Sequence, residues 1–185
     1  MTVPAAAAIR ILGIDPGSRI TGYGVIEACG PRNRWLAHGR IRCEEGELPE
    51  RLLTIFRGVA AVIREYAPQQ AAVESVFVNR NVASALVLGQ ARGAAICALA
   101  DAGIAMAEYP PAQVKSAIVG QGRAEKQQIQ HMVRVLLNLA EAPAADAADA
   151  LAVALCHAHL RAAPARRGAT RGGGWRNAVL PGAGR

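Results

Sequence analysis

A chain of 185 residues, 52% hydrophobic and 19% charged, can close one hydrophobic core, which excludes a disordered chain and a disulfide-stapled miniprotein and makes a single domain the expectation. No run of ~18 uncharged apolar residues occurs, and the alanines Ala5–Ala8 lead to Arg10 without a cleavage pattern, so neither a membrane span nor an export signal is expected. The net charge of +7 is concentrated at the C-terminus, where Arg161, Arg166, Arg167, Arg171, Arg176 and Arg185 have no acid among them; this fits a polyanion partner or a solubilising terminus equally well.

In chain order, Ile9–Ile14 is a short apolar run stopped by Asp15-Pro16-Gly17, as for a buried strand that ends abruptly. Thr21–Ala28 and Trp35–Cys43 alternate as two further strands around a turn expected at Gly30-Pro31-Arg32-Asn33. Leu48, Leu52, Ile55, Val59 and Val62 recur at helical steps, and this helix should end before Pro68. Gln70–Val73 reads as a fourth strand leading to Glu74, Ala83–Ala102 as a long helix, and Ile104–Tyr109 as a fifth strand before Pro110-Pro111. Helices are expected over Ala124–Leu139 and Ala145–Arg161. This order predicts an α/β domain, a mixed five-stranded sheet with helices on both faces. Residues 1–8 are expected as an N-terminal extension, 9–161 as the folded domain and 162–185 as a basic, Gly- and Arg-rich flexible tail. Cys29, Cys43, Cys97 and Cys156 form no C-x-x-C pair and are expected as buried or half-buried thiols in a reducing cytosol.

Candidate chemistry lies in four acids. Asp15 and Glu74 each stand at the end of a strand expected to be buried, although an Asp before Pro-Gly is by itself more often a turn cap. Asp146 and Asp149 lie three residues apart at the start of an otherwise small and apolar helix, so they share one face. Asp146 fits a first-turn acid, whereas Asp149 occupies a place where such a helix would carry a hydrophobe. If the four converge, they cannot all ionise without a compensating cation, and Mg²⁺ is the hard, oxygen-seeking ion for that role. Two such ions ~3.5–4 Å apart can bind a phosphodiester, generate hydroxide and stabilise the leaving 3′-oxygen. His157 and His159 are separated by ~200° around their helix, and His157 lies ~16 Å along the axis from Asp146, too far to share an ion.

The stretches ILGIDPGSRITGYGVIE (Ile11–Glu27), VESVF (Val73–Phe77), SALVLGQARGAA (Ser84–Ala95) and AEKQQIQHMVRVLLNL…DAADALAVALCHAH (Ala124–His159) resemble the RuvC family of bacterial Holliday-junction resolvases, of the ribonuclease H-like superfamily. The resemblance implies a Mg²⁺-dependent endonuclease of recombination and repair that makes paired nicks across a four-way DNA junction, leaving ligatable 5′-phosphate and 3′-hydroxyl ends. It carries over Asp15, Glu74, Asp146 and Asp149 as catalytic and metal-binding acids, with two ions per subunit and Mn²⁺ able to substitute. Phe77 matches a position that stacks on junction bases; Lys115 and Lys126, the only lysines, match DNA-contacting positions, and Arg80 and Arg123 are further expected contacts. No cofactor beyond the metal is implied. A cytoplasmic homodimer acting with the RuvA–RuvB branch-migration motor is implied as well. The helix Leu88–Ala95, with Gly89 and Gly93 at four-residue spacing, could form the dimer contact or pack on its own sheet.

Three rivals remain at this level. The turn Gly13–Ser18 also resembles the first phosphate-binding turn of actin-like kinases, but 185 residues do not supply their two lobes. A non-catalytic junction-binding module is disfavoured by four intact acids. Another ribonuclease H-like nuclease is separated only by the extended motifs.

Overall fold

The structure is a computed structural model describing residues 7–43, 46–75 and 82–162. Most of the expected N-terminal extension, the Phe77 and Arg80 positions and the expected C-terminal tail beyond Ala162 lie outside the described residues. Ten elements follow in order: β1 (Ile9–Asp15), β2 (Ile20–Cys29), β3 (Arg32–Arg42), α1 (Leu48–Tyr66), β4 (Gln70–Glu74), α2 (Val82–Asp101), β5 (Ala105–Tyr109), α3 (Pro111–Val119), α4 (Lys126–Leu136) and α5 (Ala145–Ala162). The sheet order is β3-β2-β1-β4-β5. The β1–β2 and β2–β3 pairs are antiparallel; β4 joins β1, and β5 joins β4, in parallel. The expected mixed five-stranded sheet is therefore present.

Strand alternation divides the core in two. Leu12, Ile14, Val25, Ala71 and Val73 meet α1 and α2 through Ile55, Val59, Ala95 and Leu99. Ile11, Ile26 and Ala72 meet α5, α3 and α4 through Leu151, Leu155, Val114, Ile129 and Val133. Helix α5 is buried along most of its length, so it lies directly on the sheet. Three glycines make that approach possible. A Cβ at Gly13 or Gly22 would run into the backbone carbonyl of Ala150 or Asp146, and one at Gly24 would come within 2.6 Å of Leu151 Cδ2.

Three features depart from the sequence expectations. The β2–β3 turn is shorter than four residues, because Cys29 pairs with Arg32 across Gly30 and Pro31; Gly30 takes φ 57°, so Arg32 and Asn33 continue the strand. Helix α3 was not anticipated. The Pro110-Pro111 pair reads as a breaker, but Pro111 occupies the first helical position, where its missing N–H costs nothing, and left-handed Gly120 closes the helix. Finally, Cys43 and Cys156 are buried as expected, whereas Cys29 and Cys97 are exposed, the former at a hairpin end.

Helix α2 is long and apolar enough to cross a membrane by length and composition alone. It nevertheless packs Ala91, Ala95, Ala98 and Leu99 into the core and carries Arg92, whose Nη2 lies 2.5 Å from Glu108 of β5. Its outer side is different: Val82 is 76% and Leu86 64% exposed, and a Cβ at Gly89 or Gly93 would meet nothing within 4 Å. The small-residue face thus does not pack on its own sheet.

Candidate active site

Four acids from three separate segments meet at one end of the sheet. Asp15 ends β1 because Pro16 and the Gly17 turn stop strand pairing; Thr21 holds that turn through its hydroxyl, 3.3 Å from Gly17 O. Arg51 of α1 braces the turn from outside, donating to Cys43 O at 2.8 Å and to Ser18 O. Glu74 ends β4, and the parallel register that sets Ile14 beside Val73 brings Asp15 and Glu74 level on the α5 side. Asp15 also pairs with Gly22, the residue on which the Asp146 backbone rests. One turn further along α5, Asp149 Oδ2 accepts an ion pair from Lys126 Nζ at 2.9 Å.

The electrostatics reflect this crowding. Burial, followed by the charges of Glu74 and Asp149 and then that of Asp146, pushes the Asp15 carboxyl up to about 8, against some relief from Lys126. Glu74 is raised chiefly by burial and then by Asp149, with Lys115 and Lys126 opposing. Lys126 is held protonated above its ordinary value, first by its hydrogen bond to Asp149 and then by the surrounding acids. A cleft of about 240 Å³ opens here, lined by Glu74, Lys115, Lys126 and Asp149 with Pro111, Val114, Ile129 and Ala152. Among the described residues no three carboxylate, imidazole or thiolate groups already stand at ligand spacing; the cation among the acids is the Lys126 ammonium. The donor set nevertheless fits a hard divalent ion, being all carboxylate oxygen with one member too desolvated to ionise at its ordinary pKa.

Of the residues expected to contact DNA, Lys115 on α3 and Lys126 at the start of α4 face this cleft, and Arg123 is exposed on the connection between those helices. Phe77 and Arg80 fall outside the described residues. Sequence reasoning missed Arg92, which donates from Nε to the main-chain carbonyl of Glu74 at 3.4 Å while pairing with Glu108. Its signal was available: the single basic residue in the middle of an apolar helix. His157 is not a ligand to the acids. It joins Tyr109 Oη at 2.7 Å through Nδ1 and Gln70 Oε1 at 2.9 Å through Nε2, and burial lowers its pKa.

Comparison with known proteins agrees with this geometry. The family model described as crossover junction endodeoxyribonuclease RuvC matches residues 11–157. Crossover junction endodeoxyribonucleases RuvC of Burkholderia ambifaria and Shewanella amazonensis are each 58% identical to this chain, over 151 and 149 residues; these cover 82% and 80% of this chain and 82% and 86% of the relatives. The structure of Thermus thermophilus RuvC in complex with a Holliday junction substrate superimposes with a TM-score of 0.78 at 36% identity, covering 83% of this chain and 95% of that one. The fold is ribonuclease H-like, and the chain belongs to the crossover junction endodeoxyribonuclease RuvC family.

Proposed function

We propose that this chain is a structure-selective endonuclease that resolves Holliday junctions by paired, symmetric, metal-dependent hydrolysis of DNA phosphodiester bonds in recombination and repair. The observation that carries this is the convergence of Asp15, Glu74, Asp146 and Asp149 at one sheet end beside Lys115 and Lys126. The four acids hold Mg²⁺, two ions per subunit with Mn²⁺ able to replace them. When bound, the metal supplies a hydroxide nucleophile and charge stabilisation for the leaving 3′-oxygen, giving 5′-phosphate and 3′-hydroxyl ends. For the carboxylates to act as ligands, Asp15 gives up the proton that burial favours, and Lys126 lets go of Asp149. Lys126 and Lys115 then hold the DNA phosphates over the cleft, joined by Arg123, with Phe77 and Arg80 extending the contact. Asp146 stands in the first turn of α5, where the helix dipole favours an anion.

Cutting two strands related by a two-fold axis calls for two equivalent sites, which a homodimer supplies. The exposed Val82 and Leu86 and the open Gly89–Gly93 face of α2 support that helix as the contact. Accordingly, Leu86→Glu should convert a dimer into a monomer in analytical ultracentrifugation while leaving the circular dichroism spectrum unchanged; an unaltered dimer would place the interface elsewhere. The protein is cytoplasmic and works with the RuvA–RuvB branch-migration complex.

The raised Asp15 pKa sets a pH dependence. Because the folded protein holds this proton more tightly than the unfolded chain, the stability it contributes is full below about pH 4 and is lost as pH rises through about 8. Mg²⁺ offsets that loss by binding the ionised form, so its stabilisation of Tm should grow between those limits. Thermal scans across this range with Mg²⁺ and with EDTA check this, and a Mg²⁺ effect independent of pH would refute it. The function itself is tested by comparing cleavage of a four-way junction, a linear duplex and an RNA–DNA hybrid with Mg²⁺ and with EDTA. Selective, Mg²⁺-dependent junction cutting is the expected result, and equal cutting of all three would point to a general ribonuclease H-like nuclease.

A further inference from the structure

We propose that Arg40, on the edge strand β3, is a DNA-contacting residue holding the cleaved strand on the side of the acids opposite Lys115 and Lys126. The inference rests on the active-site assignment above and extends it to a residue outside that cleft. The sheet register places Arg40 beside Gly22, and Gly22 beside Asp15, so Arg40, Gly22, Asp15 and Glu74 lie in one row across four strands. Gly13 and Gly22 abut α5, and residues level with them on β3 lie on that same side. Arg40 therefore shares a face with the acids, two inter-strand spacings or ~10 Å from Asp15. That distance corresponds to a rise of about three base pairs along the axis of a duplex.

The surroundings leave the guanidinium available. Arg40 is exposed, and the ion pairs made by Arg34, Arg92 and Lys126 do not involve it. Its same-side neighbour His38 adds no charge: Nδ1 accepts a 2.9 Å hydrogen bond from Trp35 Nε1, which requires an unprotonated Nδ1. Glu141 lines the adjoining cavity with Trp35 and His38 but forms no ion pair with Arg40. An unpaired cation level with a cluster of acids, on the flank that the two lysines leave uncovered, is complementary to a phosphate chain crossing the site. The competing explanation is that charge on an edge strand keeps it from pairing with another molecule.

The test measures affinity for a fluorescent four-way junction in Ca²⁺, between ~50 and ~200 mM salt. The wild type is compared with Arg40→Gln, Arg40→Lys and Arg57→Gln; Arg57 is exposed on α1, which covers the opposite face. The slope of log Kd against log salt should fall by about one in R40Q and stay at the wild-type value in R40K and R57Q. A wild-type slope in R40Q would overturn the proposal and leave Arg40 as an edge guard, and an equal loss in R57Q would show a mere net-charge effect and overturn it too. A wild type with no salt-dependent junction binding would overturn the functional assignment as well.

Discussion

Replacing Asp15 with Asn is expected to lower junction cleavage by ~10²–10³ or more while leaving junction binding intact. The basis is the state in which this side chain rests. With its carboxyl pushed up to about 8 by burial and by Glu74, Asp15 carries its proton at neutral pH when no cation is bound. An amide has nearly the same shape and the same neutrality, so Asn copies the resting form but cannot be converted into an anionic ligand. Removing a potential negative charge beside the DNA path should leave affinity equal or slightly higher. The Tm above pH 7 should also rise in the absence of metal, since Asn cannot ionise. Single-turnover cleavage, anisotropy and thermal melting measure the three quantities. Retained cleavage would remove Asp15 from the site, whereas lost binding at low salt would mean that it acts on the DNA by another route.

The second large effect concerns the seat of α5. Gly13→Val should destabilise the fold by more than ~3 kcal/mol, at the upper end of what overpacking causes. A Cβ there collides with the Ala150 carbonyl and comes within 2.7 Å of Ala154 N and 2.9 Å of Ala154 Cβ. Two of these are backbone atoms of a buried helix, so no rotamer change relieves the contact and α5 must lift from β1. Lifting it exposes Leu151 and Leu155 and carries Asp146 and Asp149 away from Asp15 and Glu74. Urea denaturation followed by circular dichroism reads the stability directly. A midpoint close to the wild type would show that the helix can retreat without loss and that the glycine is not needed for close approach.

Much of this arrangement was legible in the sequence, and the residues show why. Asp15 and Glu74 could be placed because apolar runs ended on them, and two strands ending in acids at one end of the sheet is a local signal summed over two places. Asp146 and Asp149 stood out against an alanine-rich background. What sequence pattern could not supply was facing. Helix α5 is buried along most of its length, so beyond the Asp146–Asp149 pair its sequence gives little sign of how it is turned; Gly13, Gly22 and Gly24 fix it from the opposing strands. The Lys126–Asp149 pair and the Arg92 bond to the Glu74 carbonyl likewise depend on which helices become neighbours. Helix α3 was missed for a different reason, since proline breaks a helix interior but starts a helix well. The β2–β3 turn was set too long because Arg32 and Asn33 resemble turn residues by composition, whereas a left-handed Gly30 closes the hairpin earlier.

The order in which the acids emerge during synthesis has its own effect. Asp15 and Glu74 leave the ribosome well before the segment that bears Asp146 and Asp149, and that same late segment covers one whole side of the sheet. A half-made polypeptide therefore lacks two of its four acids and a large share of the packing that would hold the others in place. Cleavage that needs all four acids therefore has to wait for α5 to be made and packed.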